Sequence, residues 1–127
     1  MKIKIQADDV ELEATLLDNY TAKKICEILP IKSIVSTWGD EIYFEIPLHL
    51  DLDSSAKDIV KKGDLGYWPS GNCFCIFFGK TPASKGEEIR PASAVNVFGR
   101  ITGNLEALKT INDGETITIK QQYSTNL

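Results

Sequence analysis

The sequence has few of the residues on which most enzyme active sites depend. It contains a single histidine, His49, and only two arginines, Arg90 and Arg100. Neither a Gly-x-Ser-x-Gly motif nor a glycine-rich phosphate-binding loop is present, and a histidine-dependent triad would have to use His49. That histidine alternates with Asp51 and Asp53. Such a pattern can hold a divalent ion but more often forms a solvated face, so we predict no metal and no cofactor.

Long apolar runs, clustered basic residues and Cys-x-x-Cys pairs are also absent. No run reaches the roughly 20 residues of a membrane span, and the N-terminus lacks the apolar segment of a signal peptide. We therefore expect a cytoplasmic protein that does not enter membranes. The net charge of −4 and the scattered lysines disfavour nucleic acid as a partner. Of the three cysteines, Cys73 and Cys75 stand two apart, which is typical of reduced, buried thiols.

What the chain does contain is the pattern of a mainly β domain. Its 127 residues suffice for one domain, 1–127, with its own core. Alternation in 2–6 and 10–16 around Ala7-Asp8-Asp9 predicts an opening hairpin. About eight short strands separated by turn signals are typical of a closed or nearly closed barrel. We also expect two or three short helices, at 22–29, about 54–62 (a short helix or a single helical turn) and 104–111, and a frayed tail at 121–127.

The stretch from Gly63 to Ser84 concentrates apolar and aromatic residues. Cys73–Phe78 is an unbroken apolar run, which predicts a strand buried on both faces. Before it, Tyr67 and Trp68 lead into a turn at Pro69. Two interpretations of these aromatic residues remain open, because both the rim of a core and a recognition surface use Tyr and Trp.

Several motifs extend over nearly the whole chain. They are Trp38-Gly39-x-Glu41-Ile42-Tyr43-Phe44, Gly63-Asp64-Leu65-Gly66-Tyr67-Trp68-Pro69, Phe78-Gly79-x-Thr81-Pro82-x-Ser84, Ile89-Arg90-Pro91-x-Ser93 and Gly99-Arg100-Ile101. In this order they resemble a small family of uncharacterised prokaryotic proteins, the cyclophilin-like domains of the type first seen in a Thermotoga protein. The resemblance implies a closed eight-stranded cyclophilin-type β-barrel with short helices.

A fainter resemblance links the chain to true cyclophilins, which isomerise Xaa-Pro bonds with an arginine over an apolar pocket. Their Phe-His-Arg-Ile segment resembles Tyr43-Phe44-Glu45-Ile46, which puts Glu45 where the arginine would stand. Their Gln-Phe-Phe segment resembles Cys73-Phe74-Cys75. A carboxylate cannot donate hydrogen bonds as a guanidinium does, so no catalytic residue of the cyclophilins is carried over.

Charged residues supply the remaining candidates. Strand alternation places Glu41, Tyr43 and Glu45 on one face. If that face lines a cleft, the carboxylates would suit a cation or a positively charged ligand, and one pKa would rise; otherwise it is a solvated face. Arg90 is a candidate either for a ligand contact or for tying down the loop from Thr81 to Ser93.

These features predict a non-catalytic binding module that takes a small molecule or an extended, proline-containing peptide in a cleft at the side of the barrel. One alternative is an atypical peptidyl-prolyl isomerase that uses Arg90 or Arg100 in place of the lost arginine. Another is a hydrolase or lyase that uses Glu41 and Glu45. The candidate ligand-binding residues are Glu41, Tyr43, Glu45, Tyr67, Trp68, Phe78, Thr81 and Arg90.

Overall fold

A computed structural model describes residues 1–123, and in that part of the chain ten β-strands form one antiparallel sheet. The mainly β fold is therefore confirmed. No helix in this part is long and apolar enough to cross a membrane. The strands are β1 (Lys2–Ala7), β2 (Val10–Leu16), β3 (Ile31–Ile34), β4 (Ser36–Thr37), β5 (Glu41–Glu45), β6 (Ala56–Lys57), β7 (Asp64–Trp68), β8 (Cys73–Phe77), β9 (Val95–Ile101) and β10 (Thr116–Gln122), joined by helix α1 (Tyr20–Glu27) and a 3₁₀ helix (Leu105–Thr110).

The two end strands of the sheet, β3 and β4, are consecutive in the chain. The strand order is β3-β10-β1-β2-β9-β7-β8-β5-β4, with β6 paired to β9. Only Val35 separates β3 from β4, and the Ser33 hydroxyl donates to the Glu45 carbonyl in β5 over 2.8 Å. Within residues 1–123 no backbone ladder joins β3 to β5, and the strands number ten instead of eight. The closed eight-stranded barrel therefore remains a prediction.

Two apolar clusters cover opposite faces of β8, which is buried along its whole length as predicted. In the larger cluster Phe74 stacks on Phe44 with 4.9 Å between ring centroids and meets the edge of Phe98 at 5.0 Å. This cluster draws on both ends of the chain and forms the main core. The smaller cluster on the other face consists of Val60, Cys73, Cys75, Phe77, Ile89 and Val95.

Several local elements begin where the sequence places them. The β1–β2 ladder turns through Asp8, at φ +52°, as the alternation predicted. Helix α1 begins after Asn19, whose side chain accepts a hydrogen bond from the Ala22 amide at 2.9 Å. The 3₁₀ helix begins after Asn104, which accepts from the Glu106 amide at 3.0 Å.

The helix predicted for 54–62 is wrong. The Asp53 carboxylate accepts a hydrogen bond from the Ser55 amide at 2.8 Å, a local turn that competes with helix formation. Strand β6 then pairs with β9. Ile59, which a helix would have placed inward, is 50% exposed. Tertiary pairing thus overrides the apparent helical periodicity.

Segment 48–52, whose alternation favoured a strand, is irregular. The Tyr67 hydroxyl donates to the Leu48 carbonyl at 2.7 Å and accepts from the Leu50 amide at 3.0 Å. A buried side chain therefore satisfies the backbone groups that a neighbouring strand would otherwise pair.

The end of the sheet also extends further than expected. Strand β10 continues to Gln122, which pairs with Lys2, although fraying was predicted from residue 121. The rest of the predicted tail, 124–127, lies outside the described residues.

Replacing Tyr67 by Phe should destabilise the fold by about 1–2 kcal/mol, because the change leaves the Leu48 carbonyl and the Leu50 amide without their partner. The free energy of unfolding in urea measures this loss. Tyr20→Phe, at a residue that is 57% exposed, is the matched control. Equal stability of the two variants would contradict this role of the Tyr67 hydroxyl.

Candidate functional site

A cavity of about 210 Å³ lies beside the smaller apolar cluster, between the sheet and the loop that follows β8. Three aromatic side chains in its walls, Trp38, Tyr43 and Trp68, are only half-buried, so the cavity opens to solvent. Its lining residues are Trp38, Glu41, Tyr43, Trp68, Cys75, Pro91, Ala92 and Val95.

Glu41 is the acidic residue of this otherwise largely apolar lining. It is only 6% exposed, and its Oε1 atom is buried without a hydrogen-bond partner. Burial raises the pKa of the Glu41 carboxyl to about 7, against a smaller opposing effect of the nearby Cys75 thiol. Groups with such shifts are concentrated at functional sites, because burial leaves their chemistry poised near neutral pH.

The turn between β4 and β5 brings Trp38 and Glu41 into the same cavity. The Trp38 amide donates to the Glu41 carbonyl at 2.9 Å, which closes the turn through Gly39 and Asp40. Gly39 has φ +61°, and a Cβ atom at this position would lie 2.8 Å from the Lys80 carbonyl oxygen. Glycine is therefore required here for both backbone conformation and space.

The loop after β8 is held against the cavity by its own hydrogen bonds. The Thr81 hydroxyl donates to the Arg90 carbonyl. The Ser84 hydroxyl accepts from the Thr81 amide at 3.1 Å and from the Arg90 amide at 3.3 Å. These bonds fix the segment that places Pro91 and Ala92 in the cavity wall.

The Arg90 side chain also acts within this loop. Its guanidinium contacts the Glu88 carboxylate at 3.2 Å. The same carboxylate accepts hydrogen bonds from the Lys85 and Gly86 amides, and these bonds, with a further contribution from Arg90, lower the pKa of Glu88 to about 2. The structure thus shows Arg90 stabilising its own loop through Glu88, which is one of the two roles considered for it. A contact between Arg90 and a ligand stays a prediction.

Three of the predicted site residues meet at the cavity: Glu41, Tyr43 and Trp68. The indole Nε1–H of Trp68 donates to the Ser93 hydroxyl at 2.7 Å, which fixes the ring against the loop. Tyr43 and Trp68 also line a shallow groove that runs to Glu45 at the end of β5. The cavity and the groove therefore share one aromatic boundary.

Tyr67 and Phe78 do not form the rim that was expected of them. Tyr67 is fully buried in the main core, because successive side chains of a strand point to opposite faces and Trp68 takes the cavity side. Phe78 is 6% exposed and packs in the same core. Neither residue lines the cavity.

The residues that the isomerase and the hydrolase or lyase alternatives require do not lie together at the cavity. Glu45 is exposed and lies four residues along β5 from Glu41, roughly 13 Å by strand rise. Arg100 pairs with Asp64 at 3.0 Å, and neither it nor Arg90 lines the cavity. The geometry therefore supports neither a carboxylate pair nor an arginine that replaces the one in true cyclophilins.

Sequence reasoning did not select five of the lining residues, namely Trp38, Cys75, Pro91, Ala92 and Val95. Trp38 could have been predicted as a site residue, because it directly precedes the Gly39-Asp40 turn that leads into the strand of Glu41. The others depend on the path of a long loop and on which strands it crosses, and neither follows from local periodicity.

The chemistry of the lining limits what the cavity can hold. Within residues 1–123 no group of three His, Cys, Asp or Glu side chains is arranged to hold a metal ion. A single carboxyl group falls short of the several oxygen ligands that Mg²⁺ or Ca²⁺ takes. The volume of about 210 Å³ is below the roughly 300–1,000 Å³ of common ligand pockets. It fits a small molecule or one side chain.

Comparisons with known proteins agree with this architecture. The family model described as cyclophilin-like matches residues 1–120, so the chain belongs to the cyclophilin-like family. Among solved structures, the solution structure of a hypothetical protein from Archaeoglobus fulgidus is 42% identical with a TM-score of 0.82. The match covers 96% of this chain and 95% of that one. No curated protein matches the chain. The family resemblance drawn from the sequence is confirmed.

The buried Glu41 carboxyl should make the stability of the fold depend on pH. Its folded-state pKa of about 7 lies above the ordinary value of 4.5. From pH 4.5 to 7 the unfolded chain releases this proton while the folded chain retains it, so stability falls as the pH rises. The loss is about 3 kcal/mol and is complete above pH 7.

Glu41→Gln should remove this part of the pH dependence, so its stability relative to the unmodified protein should rise between pH 5 and pH 8. Chemical unfolding at both pH values measures the difference. Glu45→Gln, an exposed residue on the same face of β5, is the control and should keep the original pH dependence. An unchanged pH dependence in Glu41→Gln would show that the carboxyl is hydrated.

Proposed function

We propose that this protein is a non-catalytic binding module whose site is the Glu41 cavity. The observation that carries the proposal is a buried carboxyl group, one of whose oxygens has no hydrogen-bond partner, in the wall of an apolar cavity open to solvent. An unsatisfied buried polar atom costs free energy. A ligand that bonds to the Glu41 carboxyl group and fills the apolar space would offset part of that cost.

The ligand is a small molecule or one side chain of an extended peptide. Small size follows from the cavity volume of about 210 Å³. A peptide source is supported by the groove that continues past Tyr43 and Trp68 toward Glu45, because the chain on either side of an inserted side chain needs such a path. In this arrangement Glu45 would contact the peptide in the groove, outside the cavity itself.

Both tryptophans of the chain line the cavity, so their signals report on its occupation. We would screen small molecules and Ala-Pro-containing peptides by NMR, following the indole N–H signals of Trp38 and Trp68. A ligand of this site should shift both signals while distant amides stay in place. Exchange spectroscopy on the proline signals of the same peptides tests the isomerase alternative directly.

Ala92→Phe should weaken binding of such a ligand at least tenfold, because the larger side chain enters the cavity mouth from an exposed position. Lys85→Phe, at an exposed position of the same loop outside the cavity, is the matched control. Trp68→Ala should also abolish binding with the fold intact. Ligands that bind all three variants equally would show that the site lies elsewhere.

A further inference from the structure

We infer that the ligand of the Glu41 cavity is an alkyl-substituted ammonium, either a free organic cation or the alkylated amino group of a side chain. This inference rests on the proposed function and names the chemical class that the site takes. Three aromatic side chains and one buried carboxyl group meet around a space of about 210 Å³, and this juxtaposition carries the inference.

The aromatic part of the wall suits a positive charge. Trp38, Tyr43 and Trp68 all line the cavity, and the face of an aromatic ring attracts a cation through its quadrupole, most strongly for Trp. Clustered aromatic side chains recognise quaternary and methylated ammonium groups, and a carboxylate beside them adds an opposite charge. The alkyl substituents would contact the remaining apolar wall, which includes Pro91 and Val95.

Among residues 1–123 no Lys, Arg or His side chain lines the cavity to pair with the Glu41 carboxyl. The ionisable side chains of the lining are Glu41 itself, Tyr43 from the same strand and Cys75 from β8. Trp38, Val95 and the loop residues bring no charge. Burial raises the pKa of Cys75 well above its ordinary value and that of neighbouring Cys73 to about 11. The thiols therefore remain neutral over the range in which Glu41 titrates.

An inorganic cation fits this site poorly. A divalent ion takes several oxygen ligands, and the lining offers the carboxyl group of Glu41 and the hydroxyl of Tyr43. An ammonium with apolar substituents needs one carboxylate partner and gains from burial of its carbon atoms. The distribution of apolar and acidic groups therefore favours the organic cation.

Choline and 3,3-dimethylbutan-1-ol provide a matched pair of probes, since carbon replaces the charged nitrogen in an otherwise similar shape. We would measure both affinities by calorimetry on the full chain at pH 5.5 and pH 8. Choline should bind at least tenfold more tightly than the alcohol at pH 8. Its affinity should fall roughly 30-fold at pH 5.5, because only the ionised fraction of Glu41 is competent.

Variants separate the charge from the apolar contacts. Glu41→Gln should reduce the preference for choline and remove its pH dependence while leaving alcohol binding in place. Trp68→Leu should weaken choline more than the alcohol, since it keeps apolar surface but removes an aromatic face. Glu45→Gln, outside the cavity, should change neither affinity by more than about twofold.

Each remaining outcome has a definite meaning. If the alcohol binds as tightly as choline, the proposal of a cationic ligand is wrong. Binding that weakens as the pH rises would also contradict it and would assign the neutral carboxyl group the role of a hydrogen-bond donor. In both cases the proposed binding function stands. If neither choline nor the alcohol binds, the proposal of a cationic ligand is contradicted. Failure of the small-molecule and peptide screen as well contradicts the proposed function.

The source of the cation is distinguished by a third probe, a short extended peptide that contains trimethyllysine. Tighter binding than choline, with amide shifts that extend along the groove to Glu45, would assign the cation to a peptide side chain. Binding no tighter than choline, with shifts confined to the cavity, would assign it to a free small molecule.

Discussion

Burying the Glu41 carboxyl without a partner for Oε1 is the constraint on which this site depends. A carboxyl group in an apolar environment either becomes neutral or acquires a partner, because an unpaired buried charge costs several kcal/mol. The surrounding architecture maintains this arrangement in three ways. The turn at Gly39 joins Trp38 to Glu41, and the Thr81–Arg90 hydrogen bond holds the loop against the cavity. The main core packs against the opposite face of β5.

The main core and the proposed binding site lie on opposite faces of the sheet. The face that carries the main core holds the stacked phenylalanines and the Tyr67 hydroxyl, which is hydrogen-bonded to the Leu48 carbonyl. The outer face carries a smaller apolar cluster that leaves the cavity at its edge. A local departure from complete hydrogen bonding is expected at functional sites and is offset by the consistency of the rest of the fold.

Features set by local patterns were predictable, and those set by distant contacts were not. The opening hairpin and the short helices near 22–29 and 104–111 follow from alternation and side-chain chemistry within a few residues. Glu41, Tyr43 and Trp68 were selected as site residues because the first two share a strand face and the third precedes a turn. The burial of Glu41 depends on how the loop after β8 crosses the sheet, which no periodicity encodes, and strand alternation alone does not tell which of Tyr67 and Trp68 faces the core.

The pKa of Glu41 itself tests this account most directly. It can be read from a ¹³C NMR titration of the side-chain carboxyl in glutamate-labelled protein, with Glu41→Gln identifying the signal. A midpoint of about 7 would confirm a carboxyl group buried in an apolar cavity. A midpoint near the ordinary value of 4.5 would mean that water reaches Oε1 freely and would contradict the site described here.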